Sequence, residues 1–214
     1  MFLPDNKTEK FLAANGYKKI AGLDEAGRGS WAGPIVAAAV ILPIRLEQPV
    51  KSCVRIRDSK KLNSSQRESA YEWIIKNCRS FSVAVISEKI IDKVGMGKAN
   101  IFSLKDAVSN LKIRPDFLLV DGFKFKHEKI HCRSVISGDN KIFSVAAASI
   151  IAKVTRDRLM KKYHRRYPQY RFDLHKGYGT ELHKKMIKKH GLCKLHRKSY
   201  RPIMAFDAEK SVIQ

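Results

Sequence analysis

The sequence predicts an α/β fold in which a mixed or largely parallel β-sheet is flanked by helices. Apolar runs of strand length alternate with segments whose apolar residues have helical spacing, which is the pattern of this class. The chain has 214 residues, of which 44% are hydrophobic, enough for one domain with a real core. We find no internal repeat and no low-complexity segment.

In the first part of the chain, residues 7–15 predict a short helix that ends at Gly16. Residues 19–23 predict a strand that leads into Asp24 and Glu25. The apolar run 35–42, bounded by Pro34 and Pro43, is typical of a buried strand.

Asn63 to Gln66 has the pattern of a capping box and opens a predicted helix. Three further strands are predicted at 81–87, 117–120 and 134–136, and two further helices at 98–111 and 142–163. Asp121 ends the second of these strands, and Asp139 follows the third.

The net charge of +23 favours a polyanionic partner, either nucleic acid or an anionic membrane surface. Residues 153–201 contain about 17 lysines and arginines against about three acids, which predicts a basic C-terminal helical region. We see no stretch that could span a bilayer and no secretory signal, so we expect a cytoplasmic protein. The four scattered cysteines, Cys53, Cys78, Cys132 and Cys193, are expected to be free thiols.

Four acidic residues of this basic chain stand at predicted strand ends, where the sites of α/β sheets gather: Asp24, Glu25, Asp121 and Asp139. Carboxylates that converge repel one another unless a hard cation such as Mg²⁺ or Mn²⁺ lies between them. Adjacent strand residues point to opposite faces, so Asp24 and Glu25 share a site only if the strand ends or bends there. Taken singly, each acid is more typical of a polar loop or turn.

The loop of Gly27, Arg28 and Gly29 follows the acid pair directly. Glycines allow close approach of a phosphate or sugar to backbone N–H groups, although a plain tight turn explains such a tripeptide equally well.

Residues 20–42, IAGLDEAGRGSWAGPIVAAAVIL, closely resemble the opening motif of the ribonuclease HII family. The resemblance continues in register through DSKKL at 58–62, LVDG at 119–122, GD at 138–139 and AAASIIAKVTRDR at 146–158. It includes YPQY at 167–170 and HKGYGT at 175–180. The order and spacing of these blocks extend the resemblance over most of the chain, from about residue 18 to 203.

This resemblance implies a ribonuclease H-like fold and an endonuclease that hydrolyses the RNA strand of RNA–DNA hybrids. It also implies cutting 5′ of single ribonucleotides in duplex DNA, with two divalent ions, Mg²⁺ or Mn²⁺, and 3′-hydroxyl and 5′-phosphate products. The four carboxylates would be catalytic metal ligands. The nucleic-acid-binding residues would be Gly27, Arg28, Gly29, Ser59, Lys60 and Tyr178, with the glycine loop reading the 2′-OH and Tyr178 stacking on the sugar.

We expect an N-terminal extension (1–18), a catalytic core (19–165) and a C-terminal helical region (166–214) that completes the substrate surface. The substrate partners would be hybrid duplex or ribonucleotide-containing DNA, with no membrane, and a monomer is the default. Trp31 stands where many relatives carry an aliphatic residue, and we expect it to pack rather than to touch substrate.

Two other classes remain open at this point. A non-catalytic nucleic-acid-binding protein would explain the positive charge, but it gives no reason for acidic residues to stand at strand ends. Another nuclease or strand-transfer enzyme fits the acids but would act on DNA without a 2′-OH. His190, Cys193 and His196 have metal-like spacing, which we interpret as a loop with incidental histidines rather than a zinc site.

Overall fold

The computed structural model describes residues 3–49, 54–122 and 124–211. Their sheet has the strand order β3-β2-β1-β4-β5. β1 pairs antiparallel with β2 and parallel with β4, so the sheet is mixed. The strands are β1 (Ile20–Ala26), β2 (Ile35–Ile41), β3 (Ser80–Ile86), β4 (Phe117–Asp121) and β5 (His131–Val135). The predicted α/β class is confirmed.

Eight α-helices lie in the described ranges of the chain. They are α1 (Lys7–Ala14), α2 (Ser64–Asn77), α3 (Glu88–Val94), α4 (Met96–Ser109), α5 (Phe143–Arg166), α6 (Phe172–His175), α7 (Glu181–His190) and α8 (Arg201–Ser211). Within these ranges, no helix has the length and apolar character needed to cross a membrane.

The predicted elements are present, with shifted ends and one omission. The Asn63–Gln66 capping box is confirmed on both sides, by the Asn63 side chain and by that of Gln66. The fifth strand lies earlier than predicted. Helix α3 was not predicted. It has seven residues, with Ser87 as its N-cap and Gly95, which has a φ of 80°, as its C-cap. So short a segment leaves little periodicity to detect.

The two faces of the sheet are covered by different helices. Leu23 of β1 packs with α4 residues such as Leu104 in one cluster. The other face meets α5, whose backbone comes so close to Gly22 that a Cβ there would lie 2.2 Å from the Ser144 carbonyl carbon. This close approach places the start of α5 beside the carboxyl end of β1.

Both ends of the described chain pack on the core. Glu9 of α1 accepts a hydrogen bond from the Ser144 N–H (2.9 Å) at the start of α5, and Leu12 joins Ile20 in a buried cluster. Toward the other end, Phe172 packs with Met160 of α5, and Ile203 of α8 is fully buried. The domain boundaries at 18 and 165 stay predictions.

Three cysteines, Cys78, Cys132 and Cys193, are free, as expected, and Cys53 lies outside the described residues.

Candidate active site

Three of the predicted carboxylates converge at one edge of the sheet. Asp24, Asp121 and Asp139 each offer an oxygen within 4.8 Å of the others. Leu23 is paired with Val120, so Asp24 and Asp121 occupy the next positions on parallel neighbouring strands. Asp139 comes from a 3₁₀ turn (Gly138–Asn140) just before α5. The carboxyl ends of two strands and one turn therefore build the cluster.

Local hydrogen bonds hold each carboxylate of this cluster. Asp24 Oδ1 accepts from the N–H of Glu25 (2.7 Å), and Asp121 Oδ1 accepts from the N–H of Gly138 (2.6 Å). Asp139 Oδ1 accepts from the amide of Asn140 (2.8 Å). The bond from Gly138 to Asp121 ties the turn that carries the third carboxylate to the strand that carries the second.

Glu25 lines the same cleft but is not among the three converging carboxylates. Strand β1 continues through Ala26, and the alternation of side chains along a strand accounts for the separation of Glu25 from Asp24. Glu25 forms an ion pair with Arg28 (Oε1 to guanidinium nitrogen, 3.3 Å). The buried Asn100 side chain also stabilises the Glu25 carboxylate. Its role as a metal ligand stays a prediction.

The electrostatics of the cluster oppose four simultaneous negative charges. Burial, and then repulsion from Glu25 and Asp121, raises the pKa of Asp24 well above its usual range. Burial and the charge of Asp121 likewise raise the pKa of Asp139. Burial raises the pKa of Glu25, although Arg28 partly offsets this effect. Each of these shifts disfavours the charged form in the absence of a cation.

This donor set fits a hard divalent cation. The converging atoms are carboxylate oxygens, the ligand type that Mg²⁺ and Mn²⁺ prefer. A cation between them would remove the repulsion that raises their pKa values. Glu25, which lines the same cleft, offers a further carboxylate.

The cleft in front of the carboxylates has a volume of about 330 Å³. The predicted nucleic-acid-binding residues line it together: Gly27, Arg28, Gly29, Ser59, Lys60 and Tyr178. The structure therefore brings the glycine loop, the tyrosine and the acids to one place, although they are separated by up to 154 positions along the chain.

Ser59 and Lys60 differ in accessibility. Ser59 is buried, and its hydroxyl accepts a hydrogen bond from Ser149 of α5 (2.9 Å). Lys60 is exposed on the cleft. Burial lowers the pKa of Lys60, but Asp58 and then the three clustered aspartates raise it by more. Lys60 is thus placed to contact an anion in the cleft, whereas Ser59 supports the wall.

Lys153 is a cleft residue that the sequence analysis missed as a site residue. It lies on α5, with its ammonium 5.6 Å from the centre of the Tyr178 ring and 2.7 Å from an Asp157 carboxylate oxygen. In the sequence, Lys153 directly follows a long run of small and apolar residues. This pattern does not distinguish a lysine that lines a site from a lysine on a solvent-exposed helix face.

The three-residue zinc alternative is not supported. The Nδ1 atom of His196 accepts from the N–H of Cys193 (2.8 Å), and its Nε2 lies 3.2 Å from Nε2 of His183. Both ring nitrogens are therefore already used. In the described residues, the aspartate cluster is the only group of three or more candidate ligands.

Trp31 packs as expected. Its ring lies against Gly179, where a Cβ would come within 2.2 Å of it, and near His183 (ring centres 5.9 Å apart). It thus covers the residue that follows Tyr178 instead of facing the carboxylates.

Comparison with known proteins agrees with this geometry. The sequence model of the family described as Ribonuclease HII matches residues 21–203. A ribonuclease HII from Syntrophus aciditrophicus is 48% identical over 193 residues, which cover 90% of this chain and 89% of the relative. One from Caldicellulosiruptor bescii is 44% identical over 192 residues, or 90% and 91% of the two chains.

Among solved structures, the ribonuclease H2 of Pyrococcus horikoshii superposes with a TM-score of 0.74 at 25% identity. The match covers 89% of this chain and 98% of that one. The ribonuclease H-like fold implied by the sequence motifs is confirmed.

Proposed function

As a member of the ribonuclease HII family, the chain is a ribonuclease H that hydrolyses RNA in RNA–DNA hybrids with divalent metal ions, and we propose that it also cuts 5′ of single ribonucleotides in duplex DNA. The observation that carries this proposal is the shared cleft of the aspartate cluster, the glycine loop and Tyr178. A 2′-OH reader beside the scissile phosphate is what cutting at a lone ribonucleotide requires.

We propose that Asp24, Asp121 and Asp139, with Glu25 at the cleft edge, hold two divalent ions, Mg²⁺ or Mn²⁺. When bound, such ions supply Lewis-acid activation of the attacking water and stabilise the charge on the leaving 3′-oxygen. The protein's part is to hold carboxylate oxygens at fixed separation at the ends of two neighbouring strands. Cleavage on that side of phosphorus leaves a 3′-hydroxyl and a 5′-phosphate.

The glycine loop is proposed to bind the ribose at the cut. A Cβ at Gly29 would meet no atom within 4 Å, so no internal packing requires glycine there. A substrate backbone that must approach the loop closely supplies such a requirement. Arg28, exposed on the cleft and paired with Glu25, is placed to contact the adjacent phosphate.

Tyr178 is proposed to stack on the sugar on the other side of the cut. Ser30 of the glycine-loop segment forms an isolated β-bridge with Tyr178, and the Trp31 N–H donates to the Gly177 carbonyl (2.8 Å). Backbone contacts thus set the spacing between the tyrosine and the loop, the geometry that a two-sided grip on one nucleotide needs.

The test uses a labelled DNA duplex with one ribonucleotide, beside an all-DNA duplex of the same sequence and a continuous hybrid. Each is incubated with Mg²⁺, Mn²⁺ or EDTA. We expect metal-dependent cutting 5′ of the ribonucleotide and in the hybrid, and none in all-DNA. Comparison of the cleavage rates with Mg²⁺ and with Mn²⁺ at equal concentration gives the metal preference.

Two outcomes for the wild-type protein would contradict parts of this proposal. Cutting of the continuous hybrid alone would contradict the proposed incision at single ribonucleotides. Metal-dependent cutting of all-DNA at a comparable rate would contradict 2′-OH reading by the loop.

Tyr178→Ala should slow cutting at the single ribonucleotide about 10-fold or more, and an unchanged rate would contradict the stacking role.

A further inference from the structure

Arg156 of α5 is a fully buried cation behind the cleft. Burial lowers its pKa to about 10, so the guanidinium still carries its charge at neutral pH. No carboxylate in the described structure forms an ion pair with it. Taking a charge out of water without a counter-charge is costly unless hydrogen bonds compensate for the lost solvation. We therefore expect the residues around Arg156 to supply hydrogen-bond acceptors.

Backbone carbonyls of two separate segments accept three hydrogen bonds from this guanidinium. Nε donates to the Pro34 carbonyl (2.9 Å) and one terminal nitrogen to the Ala32 carbonyl (3.2 Å), both just after the glycine loop. The other terminal nitrogen donates to the Lys176 carbonyl (3.0 Å), two residues before Tyr178. The rigid fork of arginine thus spans the loop on one side and the tyrosine segment on the other.

Two further contacts join Arg156 to the residues of the cleft. The guanidinium carbon lies 5.4 Å from the centre of the Tyr178 ring, within the range of a cation–π interaction. Gly27 lies directly over the side chain, where a Cβ would come within 2.1 Å of Nε. Gly27 is therefore glycine partly because Arg156 occupies the space beneath the loop.

We propose that Arg156 is a positioning residue that sets the separation between the glycine loop and Tyr178, and so tunes cutting at a single ribonucleotide. The inference rests on the proposed function of that cleft. Lys176 has a φ of 51°, a conformation that side chains other than glycine rarely adopt, and the bond from Arg156 to its carbonyl helps to hold it. Arg156 itself touches no reacting atom, and it acts through Tyr178.

A double-mutant cycle on single-turnover cleavage of the ribonucleotide-containing duplex tests this role. The variants are Arg156→Lys, Tyr178→Ala and their combination. Arg156→Lys keeps the charge but not the fork, so we expect a cleavage rate about 10- to 100-fold lower with duplex affinity near that of the wild type. If Arg156 acts through Tyr178, the double variant should cut no more slowly than Tyr178→Ala alone.

The matched control is Arg158→Lys, two residues along the same helix. Arg158 is exposed and pairs with Glu68, and this variant should cut at the wild-type rate. Arg156→Met, an uncharged residue of similar length, is assayed in parallel because apolar replacements of buried ions often fold. Melting temperatures identify variants that lose activity by unfolding.

The outcomes separate this inference from the function on which it rests. Wild-type protein that fails to cut at the ribonucleotide contradicts the proposed function before any variant is assayed. If the wild type cuts and the losses of the two single variants multiply, only the positioning role is wrong. Failure of both Arg156 variants to fold would assign Arg156 to stability and overturn the positioning role too.

Discussion

Two glycines in one loop have different physical reasons to be glycine. Gly27 has a φ of 99° and Arg156 beneath it, so both its backbone conformation and its surroundings exclude a side chain. Gly29 has open space where its Cβ would be. The requirement at Gly27 is internal to the fold, whereas the requirement at Gly29 would come from the proposed contact with the ribose.

Alanine substitutions should separate these two requirements. Gly27→Ala should lower the free energy of unfolding by about 1–3 kcal/mol, because of backbone strain and the contact with Arg156. Gly29→Ala should change it by less than about 0.5 kcal/mol, yet slow cutting at a single ribonucleotide about 10-fold or more. Urea unfolding and single-turnover cleavage measure the two effects. Equal stability losses, or a fully active Gly29→Ala variant, would contradict the assignment.

Asp24 illustrates the energetic cost of a site residue. It is buried among other carboxylates, and its raised pKa means that its charge destabilises the metal-free fold at neutral pH. A neutral amide of the same shape removes that repulsion but also removes a proposed metal ligand.

We therefore predict opposite effects of Asp24→Asn on stability and activity. Without metal at pH 7, the variant should be more stable than the wild type by about 1 kcal/mol. Its cleavage rate should fall ~100-fold or more, a loss of about 2.7 kcal/mol of transition-state stabilisation, with duplex binding largely kept. Melting curves with and without Mn²⁺ provide a readout besides activity, since the metal should stabilise the wild type by more than the variant. Activity that survives would contradict the metal assignment.

At the scale of elements, α6, α7 and the segment after α7 are joined by three buried histidines. The rings of His175 and His183 stack with centres 4.2 Å apart, and His183 contacts His196 through their Nε2 atoms (3.2 Å). His183 Nδ1 lies 3.0 Å from the Tyr178 carbonyl, and His175 Nδ1 accepts from the Gly177 N–H (3.1 Å). A neutral histidine cluster thus supports the backbone of the tyrosine segment.

This cluster predicts a loss of stability in mild acid. Burial lowers the pKa of His183 to about 3 and that of His196 to about 4, from an ordinary value of 6.5. Below pH 6.5 the unfolded chain therefore binds protons that the folded chain does not, so stability falls as the pH drops from about 6.5 toward 4. Between pH 7 and 5 each histidine should contribute a loss of about 1–2 kcal/mol.

Comparison with His183→Phe isolates one of these contributions, because other groups titrate in the same range. The variant should lose about 1–2 kcal/mol less than the wild type between pH 7 and 5 in urea unfolding. His190→Gln, at an exposed position at the end of the same helix, should keep the wild-type dependence. Equal slopes in the wild type and His183→Phe would contradict the neutral buried cluster.

At the scale of the whole molecule, the chain carries 43 basic against 20 acidic side chains, a net charge of +23, whereas the cleft contains three clustered aspartates. Positive charge attracts a phosphate backbone without regard to sequence, whereas the proposed role of the carboxylates is confined to the scissile phosphate. Helix α7, which follows the Tyr178 segment, carries exposed lysines including Lys185 and Lys189.

Lys185→Gln with Lys189→Gln tests whether this helix contacts the duplex. We expect weaker binding to hybrid and to all-DNA alike, and a slope of log affinity against log salt that is smaller by roughly 1–2. Lys112→Gln is the control, since this exposed lysine precedes the amino end of β4, opposite the cleft. An unchanged slope in the double variant would show that α7 carries a solvated face only.

The sequence by itself determined much of this protein. Apolar runs and alternating patterns predicted all five strands, and helical spacing predicted most of the helices, because burial restricts which positions can be polar. The linear motifs identified the family and therefore the ribonuclease H activity, and the position of acids after apolar runs predicted the aspartate cluster.

Only the tertiary structure decided which of these residues meet. It continued β1 through Ala26, which separates Glu25 from Asp24 by the alternation of the strand. It also placed Lys153 in the cleft and Arg156 beneath the glycine loop. A buried cation that binds carbonyls of two distant segments leaves no periodic or charge signal along the chain, because its partners are backbone atoms that every residue has.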